Sequence, residues 1–391
     1  MITIVRYVFG NVLYLFSLLV PKSDNIWVFG AWGGSAFADN PKYLYDYVRN
    51  NQGHIRPVWL TRSRAVLQEL RSEGHEVHLI ASLLGLYYMM RASYGVTSHG
   101  ITDLNRYAVA RIKIVETWHG IPIKPVLLSD PKKKARRKFK VLHFLKFFFP
   151  FLAKEVDFKK LFLICGSGPL TNELCVKIFG EGIHLASVGF PRLDGLKNIN
   201  TESTLVNQLR NFQKDGFRLM IYLPTYRREA EFDIIGFFRD NLSFINDNLV
   251  SRRIKLFVKF HPFDAHKIDA AFESKSVFFL SDRSIGNDIY GILGLFDMLV
   301  TDYSSVLFDY LYLGRPVYLI TPDRDSYIKS NGNFVFDYLD LGIPLPEDWR
   351  QLFLLLDHDY PIERITQLQD QFHVAVDNRN SERLFKEIVK H

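Results

Sequence analysis

The chain alternates short runs of β-branched and aromatic residues with amphipathic segments of helical spacing. This pattern is typical of parallel α/β sheets, in which a helix follows each strand and covers the sheet. We expect helices to begin near Asp39 or Asn40, with Pro41 in the first turn, after Ser167 with Pro169, and again beyond residue 346. The predicted strands are residues 26–30, 57–60, 77–80, 94–98, 112–117, 161–165 and 185–188 in the first half, and 219–223, 254–260, 277–280, 298–301 and 317–320 in the second.

Apolar content falls around residues 192–204, "RLDGLKNINTEST", and we place the domain boundary there. A chain of 391 residues is too long for one hydrophobic core. We therefore expect an apolar N-terminal segment at 1–22, a Rossmann-like domain at 23–200, and a second one with C-terminal helices at 201–391. Two such halves facing a cleft describe the GT-B architecture, so the predicted fold class is α/β of GT-B type.

Residues 4–20, "IVRYVFGNVLYLFSLLV", form an apolar stretch that is interrupted by Arg6, Asn11 and Ser17. A spanning helix needs about 20 apolar residues, so this stretch is marginal for crossing a bilayer. No small-residue cleavage site follows, which argues against a secretory signal. Two interpretations stay open: a monotopic membrane anchor, or a helix of the core.

The net charge of +7 comes from one segment. Residues 131–160 hold eleven Lys or Arg against Glu155 and Asp157, a local balance of +9, and several Phe follow the cations. Cations near an anionic bilayer contribute about 1 kcal/mol each, and aromatic rings enter the headgroup boundary. We favour an anionic membrane surface as the partner of this basic-aromatic segment over a solvated basic helix followed by a buried strand. Nucleic acid is not expected, because no recognised nucleic-acid module accompanies the patch.

The two cysteines, Cys165 and Cys175, have neither metal-ligand spacing nor a disulfide framework. A reducing cytoplasm is the plain inference, with both thiols buried as packing.

Polar residues follow three predicted strands of the second half, and parallel strands bring such residues to one edge. The turn at Ser304 and Ser305 starts a helix, whose N–H groups and dipole could hold a pyrophosphate. Asp309, one turn further, could accept hydrogen bonds from a ribose; the alternative is a simple helix cap and a solvated carboxylate. The strand-end residues are Thr225 and Arg227 in "LPTYRR", Lys259 and His261 in "LFVKFHP", and Thr301, Asp302, Ser304 and Ser305 in "MLVTDYSS".

The first half supplies the opposite wall of the predicted cleft. His119 ends the strand in "IVETWHGIPIKP", Gly120 allows close backbone approach, and Lys124 adds a charge. "VGFPRLDGL" adds Arg192 and Asp194. A histidine at a strand end can be purely structural, but its ordinary pKa near 6.5 also suits a base that activates a hydroxyl.

Together these segments resemble the CDP-glycerol glycerophosphotransferase family, which builds teichoic-acid and related capsule polymers. The resemblance covers residues 25–375, with five motifs in the family's order. Ile121, Leu193 and Lys259 stand where Thr, Asn and Arg are common in the family. The matching residues are Trp118, His119, Gly120, Pro122 and Lys124; Gly189, Pro191, Arg192 and Asp194; Pro224, Thr225, Tyr226 and Arg227; His261 and Pro262; and Thr301 to Ser305 with Phe308 and Asp309.

The resemblance implies transfer of an alditol phosphate from CDP-glycerol or CDP-ribitol to a hydroxyl of a lipid-linked glycan or growing polymer, with release of CMP. No cofactor is expected, and no clustered Asp/Glu motif demands Mg²⁺. The protein is expected on the cytoplasmic face of the bacterial cell membrane, bound peripherally. The implied catalytic residues are His119, as base, and His261, at the departing phosphate. The implied substrate-binding residues are Gly120, Lys124, Arg192, Thr225, Arg227, Thr301, Asp302, Ser304 and Ser305, with Arg227 also at the departing phosphate and Asp309 at the ribose.

Two other interpretations remain. A GT-B glycosyltransferase would share the fold and the pyrophosphate-binding turn but would release a nucleoside diphosphate from a nucleotide sugar. A non-catalytic membrane-associated scaffold would bind vesicles without turnover, although two retained histidines and the Ser-Ser turn argue against a decayed site. Sequence does not distinguish glycerol from ribitol, a primase from a polymerase, or one oligomeric state from another.

Overall fold

The computed structural model describes residues 2–124, 127, 161–197, 199, 203–227, 232–261, 274–337 and 341–391. The basic-aromatic segment 131–160, with its predicted membrane contact, lies outside the described residues, as does Pro262.

The first half of the chain folds into a seven-stranded sheet in which every pairing is parallel. The strand order is β3-β2-β1-β4-β5-β6-β7, so β1 lies beside β4 and not only beside β2. The central strands are buried along most of their length, as expected when helices cover both faces of a parallel sheet. The strands are β1 (Ser23–Phe29), β2 (Arg56–Thr61), β3 (Val77–Leu79), β4 (Ala92–Thr97), β5 (Lys113–Glu116), β6 (Leu163–Gly166) and β7 (Leu185–Ser187).

The second half forms a five-stranded parallel sheet of order β10-β9-β8-β11-β12. All twelve predicted strands are confirmed, with ends shifted by at most three residues. The chain is therefore an α/β protein built on two parallel sheets. The strands are β8 (Arg218–Leu223), β9 (Ile254–Val258), β10 (Val277–Phe279), β11 (Met298–Thr301) and β12 (Val317–Leu319).

Helices connect the strands of both sheets, and three of them form the predicted helical C-terminal segment. The predicted starts at Asp39 and after Ser167 are confirmed. The described helices are α1 (Ile2–Leu19), α2 (Asp39–Asn51), α3 (Arg64–Ser72), α4 (Leu83–Arg91), α5 (Pro169–Phe179), α6 (Thr204–Lys214), α7 (Ile234–Asp240), α8 (Leu242–Ser251), α9 (Tyr290–Leu293), α10 (Val306–Leu311), α11 (Arg324–Asn331), α12 (Trp349–Leu355), α13 (Ile362–Phe372) and α14 (Asn380–Lys390).

The C-terminal helix α14 returns to the first sheet. Phe385 packs its ring 5.6 Å from that of Trp27 on β1, and Leu384 and Ile388 are buried in the same core. The last residues of the chain therefore pack with the first half, although they follow the second sheet in sequence. The predicted division at residue 200 stays a prediction.

Helix α1 lies on the surface of the protein. Gly10 packs against the ring of Tyr107, and Leu13 is half-buried beside the core of the first sheet. Phe16 and Leu19 are exposed, with 57% and 79% of their surface accessible. Of the two interpretations for this segment, the core helix is thus not what the structure shows. Within the described part of the chain, no helix combines the length and hydropathy needed to cross a bilayer.

Asp194 holds the start of α14 in place. Its Oδ1 accepts hydrogen bonds from the backbone N and side-chain Nδ2 of Asn380, at 2.9 and 2.8 Å, and its Oδ2 accepts from the backbone N of Ser381 at 2.8 Å. These are N–H groups that a helix cannot satisfy internally, and a carboxylate there also interacts favourably with the helix dipole. Asp194, expected with Arg192 at the cleft, therefore serves to dock the C-terminal helix.

Replacing this carboxylate should weaken the fold. We expect Asp194→Ala to lower the free energy of unfolding by about 1–3 kcal/mol, because two helix N–H groups lose their acceptor. Urea titration followed by circular dichroism measures this change. Asp377→Ala is the control: it removes an exposed ion pair with Arg383 and should cost less than about 1 kcal/mol. Equal stabilities of the two variants would contradict this role of Asp194.

Candidate active site

The cleft lies where the carboxyl ends of the two sheets face each other. Loops after β5 supply one wall, and loops after β8, β9 and β11 supply the other. A cavity of about 400 Å³ between them collects seven of the predicted site residues. They are His119, Gly120, Lys124, Thr225, His261, Ser304 and Ser305.

His119 is held in a defined tautomer. Its Nδ1 lies 3.1 Å from the carbonyl oxygen of Ser98, which can only accept a hydrogen bond, so Nδ1 carries the proton. In the neutral ring Nε2 then keeps its lone pair, as a base requires. Burial lowers the pKa of His119 below its ordinary value, which keeps the ring neutral near pH 7.

A second histidine stacks on the first. The rings of His99 and His119 lie 4.0 Å apart and are nearly parallel, at 9°. Burial, with His119 close by, lowers the pKa of His99 to about 3. His99 therefore stays uncharged and supports the His119 ring by packing. Two neutral rings in contact avoid the repulsion that two imidazolium ions would have.

Glu116, at the end of β5, holds both histidine loops. Its Oε1 accepts from the backbone N of Trp118 at 2.9 Å, and its Oε2 accepts from Gly100 N at 2.7 Å and Thr97 Oγ1 at 2.9 Å. Burial, with Asp103 close by, raises the pKa of Glu116 to about 8. This carboxyl group therefore fixes the backbone on either side of the stacked rings.

The opposite wall is built on a buried ion-pair cluster. Arg227 contacts Asp302 at 2.9 Å and Asp323 at 2.7 Å, and its side chain is only 7% exposed. Asp302 Oδ1 also accepts from the backbone N of Thr225 at 2.8 Å, and Thr301 Oγ1 donates to the carbonyl of Leu223. Arg227, Thr301 and Asp302 thus lie beneath the cavity wall and set its shape; they do not line the cavity.

The turn at Ser304 and Ser305 faces the loop of His119. Ser304 Oγ accepts from the backbone N of Val306 at 3.3 Å, at the start of the short helix α10. Gly120 has φ of +140°, and a Cβ added there would lie 2.8 Å from Ser305 Oγ. The expected close approach of Gly120 is confirmed, and it is an approach to the serine turn.

Arg192 and Asp309 form a buried ion pair between the two halves. Arg192 donates to Asp309 Oδ2 at 2.6 Å and to Asp39 Oδ1 at 2.9 Å, and Tyr290 also donates to Asp309 Oδ2 at 2.6 Å. Asp309 is 1% exposed. The ribose contact of Asp309 stays a prediction; in this structure its carboxylate is the counter-charge of Arg192. Arg192 itself lines a neighbouring cavity of about 680 Å³, which His119 and His261 also line.

The sequence of this chain was compared with those of known protein families and proteins. The sequence profile described as CDP-Glycerol:Poly(glycerophosphate) glycerophosphotransferase matches residues 12–390. The chain belongs to this family. It is 26% identical over 329 residues to a teichoic acid poly(glycerol phosphate) polymerase of Bacillus subtilis (strain 168), covering 81% of this chain and 41% of that protein. It is also 28% identical over 235 residues to a teichoic acid poly(ribitol-phosphate) polymerase of Bacillus spizizenii (strain W23), covering 56% and 36%.

The chain thus spans roughly two-fifths of the length of these two polymerases. Among solved structures, the wall teichoic acid polymerase TagF superposes with a TM-score of 0.72 at 20% identity, covering all of this chain and 95% of that one. At this identity the likeness establishes the fold alone, a GT-B-like pair of parallel α/β sheets.

Sequence analysis of this glycerophosphotransferase family member missed two residues beside His119, and it matched Tyr226 to a family motif without assigning it to the site. His99 and Trp32 lie beside His119, and Tyr226 packs its ring 4.7 Å from that of His261. A signal for His99 was present, because "TSHG" after β4 repeats the strand-then-His-Gly pattern of "TWHG" after β5. No signal marked Trp32, since only the fold reveals that β1 is the neighbour of β4.

Glu116 should make stability depend on pH. The folded state keeps its proton up to about pH 8, whereas the unfolded chain releases it near its ordinary value of 4.5. The folded state thus binds more protons in between, so Glu116 makes the free energy of unfolding fall as pH rises, by up to about 1.4 kcal/mol per unit. We expect Glu116→Gln to reduce this fall in urea titrations from pH 5 to 8. Exposed Glu363→Gln is the control; a wild-type slope in Glu116→Gln would contradict this assignment.

Proposed function

We propose that this protein transfers glycerol phosphate, or the related ribitol phosphate, from a CDP-activated donor to a hydroxyl of a lipid-linked glycan or growing polymer. CMP is released, and the product belongs to teichoic-acid or capsule polymer synthesis. The observation that carries this proposal is the placement of two histidines, one from each half, on the same cleft beside the Ser304–Ser305 turn, in a member of the glycerophosphotransferase family.

His119 is the proposed base. Its Nε2 lone pair takes the proton of the acceptor hydroxyl while the hydroxyl oxygen forms a bond to the phosphorus that carries the alditol. The bond from that phosphorus to CMP breaks, and CMP leaves. The lowered pKa of His119 suits this task, because a base must be unprotonated before the reaction begins.

The opposite wall is the proposed site of the donor pyrophosphate. His261, Lys124 and the hydroxyls of Ser304 and Ser305 line one cavity and can donate hydrogen bonds to phosphoryl oxygens. Thr225 Oγ1 is buried on the same wall and neither accepts nor donates a hydrogen bond among the described residues. A bound ligand would supply the missing hydrogen-bond partner. Arg227 acts through its contacts with Asp302 and the Thr225 loop, and is a positioning residue.

Metal ligands do not gather in this cleft within the described residues. Among the described residues, one group has three ligand atoms close enough to share an ion: His184, Glu387 and His391. None of the three lines the cavities around His119. The proposed mechanism assigns charge stabilisation to His261, Lys124, Ser304 and Ser305.

Release of CMP tests the proposal directly. We expect wild-type protein to release CMP from CDP-glycerol or CDP-ribitol when a lipid-linked glycan acceptor is present. His119→Ala should lower the rate at least about 100-fold, because the proton acceptor is lost. His358→Ala, which removes an exposed histidine after α12, is the matched control and should retain activity. Release of a nucleoside diphosphate from a nucleotide sugar, with no CMP from either donor, would show a glycosyltransferase instead.

We also propose that α1 binds the cytoplasmic face of the membrane as a monotopic anchor. Its outer face carries Phe16 and Leu19, and α4, which covers the same side of the first sheet, exposes Leu83, Leu84 and Tyr87. Exposed apolar patches of this kind mark partner or membrane surfaces. A lipid-linked acceptor would be held at that surface, which would bring its hydroxyl within reach of the cleft.

Vesicle binding tests the anchor. We expect the double variant Phe16→Glu with Leu19→Glu to bind anionic phospholipid vesicles at least about tenfold more weakly, because two side chains that would enter the bilayer become charged. Co-sedimentation measures the bound fraction. Leu354→Glu, on the exposed face of α12, is the control for added charge. If the double variant and Leu354→Glu sediment with vesicles as wild type does, α1 is not the anchor.

A further inference from the structure

Trp32 stands out among the five tryptophans of the chain. Trp27, Trp59 and Trp349 are buried and Trp118 is half-buried, whereas Trp32 is 48% exposed. Its ring lies 4.6 Å from that of His99 and 6.1 Å from that of His119. A large ring left partly in water beside the proposed base is typical of a ligand site and not of core packing.

The backbone at Trp32 is held in place by its neighbours. Trp32 has φ of +52°, a left-handed conformation that is strained for a residue with a bulky side chain. The next residue, Gly33, donates its backbone N–H to Asp103 Oδ1 at 2.6 Å, and Asp103 Oδ2 accepts from the backbone N of Ser98 and of His99. One carboxylate thus fixes the Trp32 loop and the His99 loop together. Strain maintained in this way is common at binding sites.

Trp32 and the serine turn line two different cavities, and His119 borders both. Trp32 lines the 680 Å³ cavity, whereas Ser304 and Ser305 line the 400 Å³ cavity. If the donor pyrophosphate occupies the cavity of the serine turn, the larger cavity, which Trp32 lines, offers the acceptor an approach to His119. The indole is then part of the acceptor site.

The charges around the larger cavity do not favour a polyanion. Its two described cations, Arg192 and Lys259, are already paired with Asp39 and Asp282. Glu69 also lines it, and no described residue pairs with that carboxylate. Such a wall offers acceptors for hydroxyl groups but little unbalanced positive charge for a phosphate-rich chain.

We propose that Trp32 is a binding platform for a neutral pyranose ring of the acceptor. The C–H face of a sugar ring packs on the exposed indole, and its hydroxyl groups donate to carboxylates of the cavity. This inference rests on the proposed function and narrows it: the hydroxyl that is phosphorylated belongs to a glycan, and an end of bare polyol phosphate is the weaker acceptor.

Binding can be measured without turnover. We expect N,N′-diacetylchitobiose or cellobiose, as neutral disaccharide probes, to change the intrinsic fluorescence of wild type saturably, because Trp32 is its exposed tryptophan. The variant Trp32→Phe should lose this signal, and glycerol 3-phosphate should not produce it. Saturable responses that are the same in Trp32→Phe as in wild type, or no saturable response to either disaccharide, would overturn the proposal.

Steady-state kinetics distinguish a role of Trp32 in acceptor binding from a role in supporting the His119 ring. With a lipid-linked glycan acceptor, Trp32→Ala should raise the acceptor KM about tenfold, while kcat and the KM for the CDP-alditol change little. Trp32→Phe should recover most of the loss, since a smaller ring still stacks. A fall in kcat with unchanged acceptor KM would show that Trp32 only supports the histidines, and would overturn its role as a sugar platform. Failure of wild type to release CMP would refute the proposed function, and the fluorescence result would still decide the pyranose site.

Discussion

One buried guanidinium organises the cleft. Arg192 pairs with Asp39 of the first half and Asp309 of the second, and none of the three side chains is more than 3% exposed. Burial opposes the charge of Arg192, but the carboxylates around it outweigh that effect and raise its pKa above the ordinary value. Removing Arg192 would leave two buried carboxylates without their counter-charge, so the guanidinium holds Asp39 and Asp309 in position. Because Asp309 follows the serine turn by one helical turn, the ion pair also fixes the distance between the two walls.

The same contact extends to the proposed base. Asn40, next to Asp39, donates its side-chain N–H groups to the carbonyls of Thr117 and Trp118 at 3.1 and 2.8 Å, and its Oδ1 accepts from the backbone N of Arg192. The His119 loop is therefore tied to the residue that pairs with Asp309. Placement of the base and placement of the serine turn are consequences of one hydrogen-bonded network.

Sequence predicted the sheets well because buried parallel strands are continuous apolar runs, which local pattern reveals. It predicted His119, His261 and Ser304 for a similar reason: each follows a strand directly. Strand order and side-chain partners depend on contacts between residues distant in sequence, and the features that sequence analysis did not predict are of this kind. The ion pair of Asp309 could not be predicted, because its partner Arg192 lies 117 residues away in sequence. Trp32 and His99 were missed because β1, β4 and β5 are neighbours only in the folded sheet.

The neighbouring strands explain how the cleft keeps the proposed base, His119, in its neutral form. Three loops, after β1, β4 and β5, stack Trp32, His99 and His119 in a row. Each ring removes water from the next, and the loss of solvation lowers the pKa of both histidines. A base that is buried on one side and open to the cleft on the other stays neutral until a hydroxyl arrives. The aromatic row would then have two roles in the reaction: His119 at one end would accept the proton, and Trp32 at the other end would bind the acceptor molecule that supplies it.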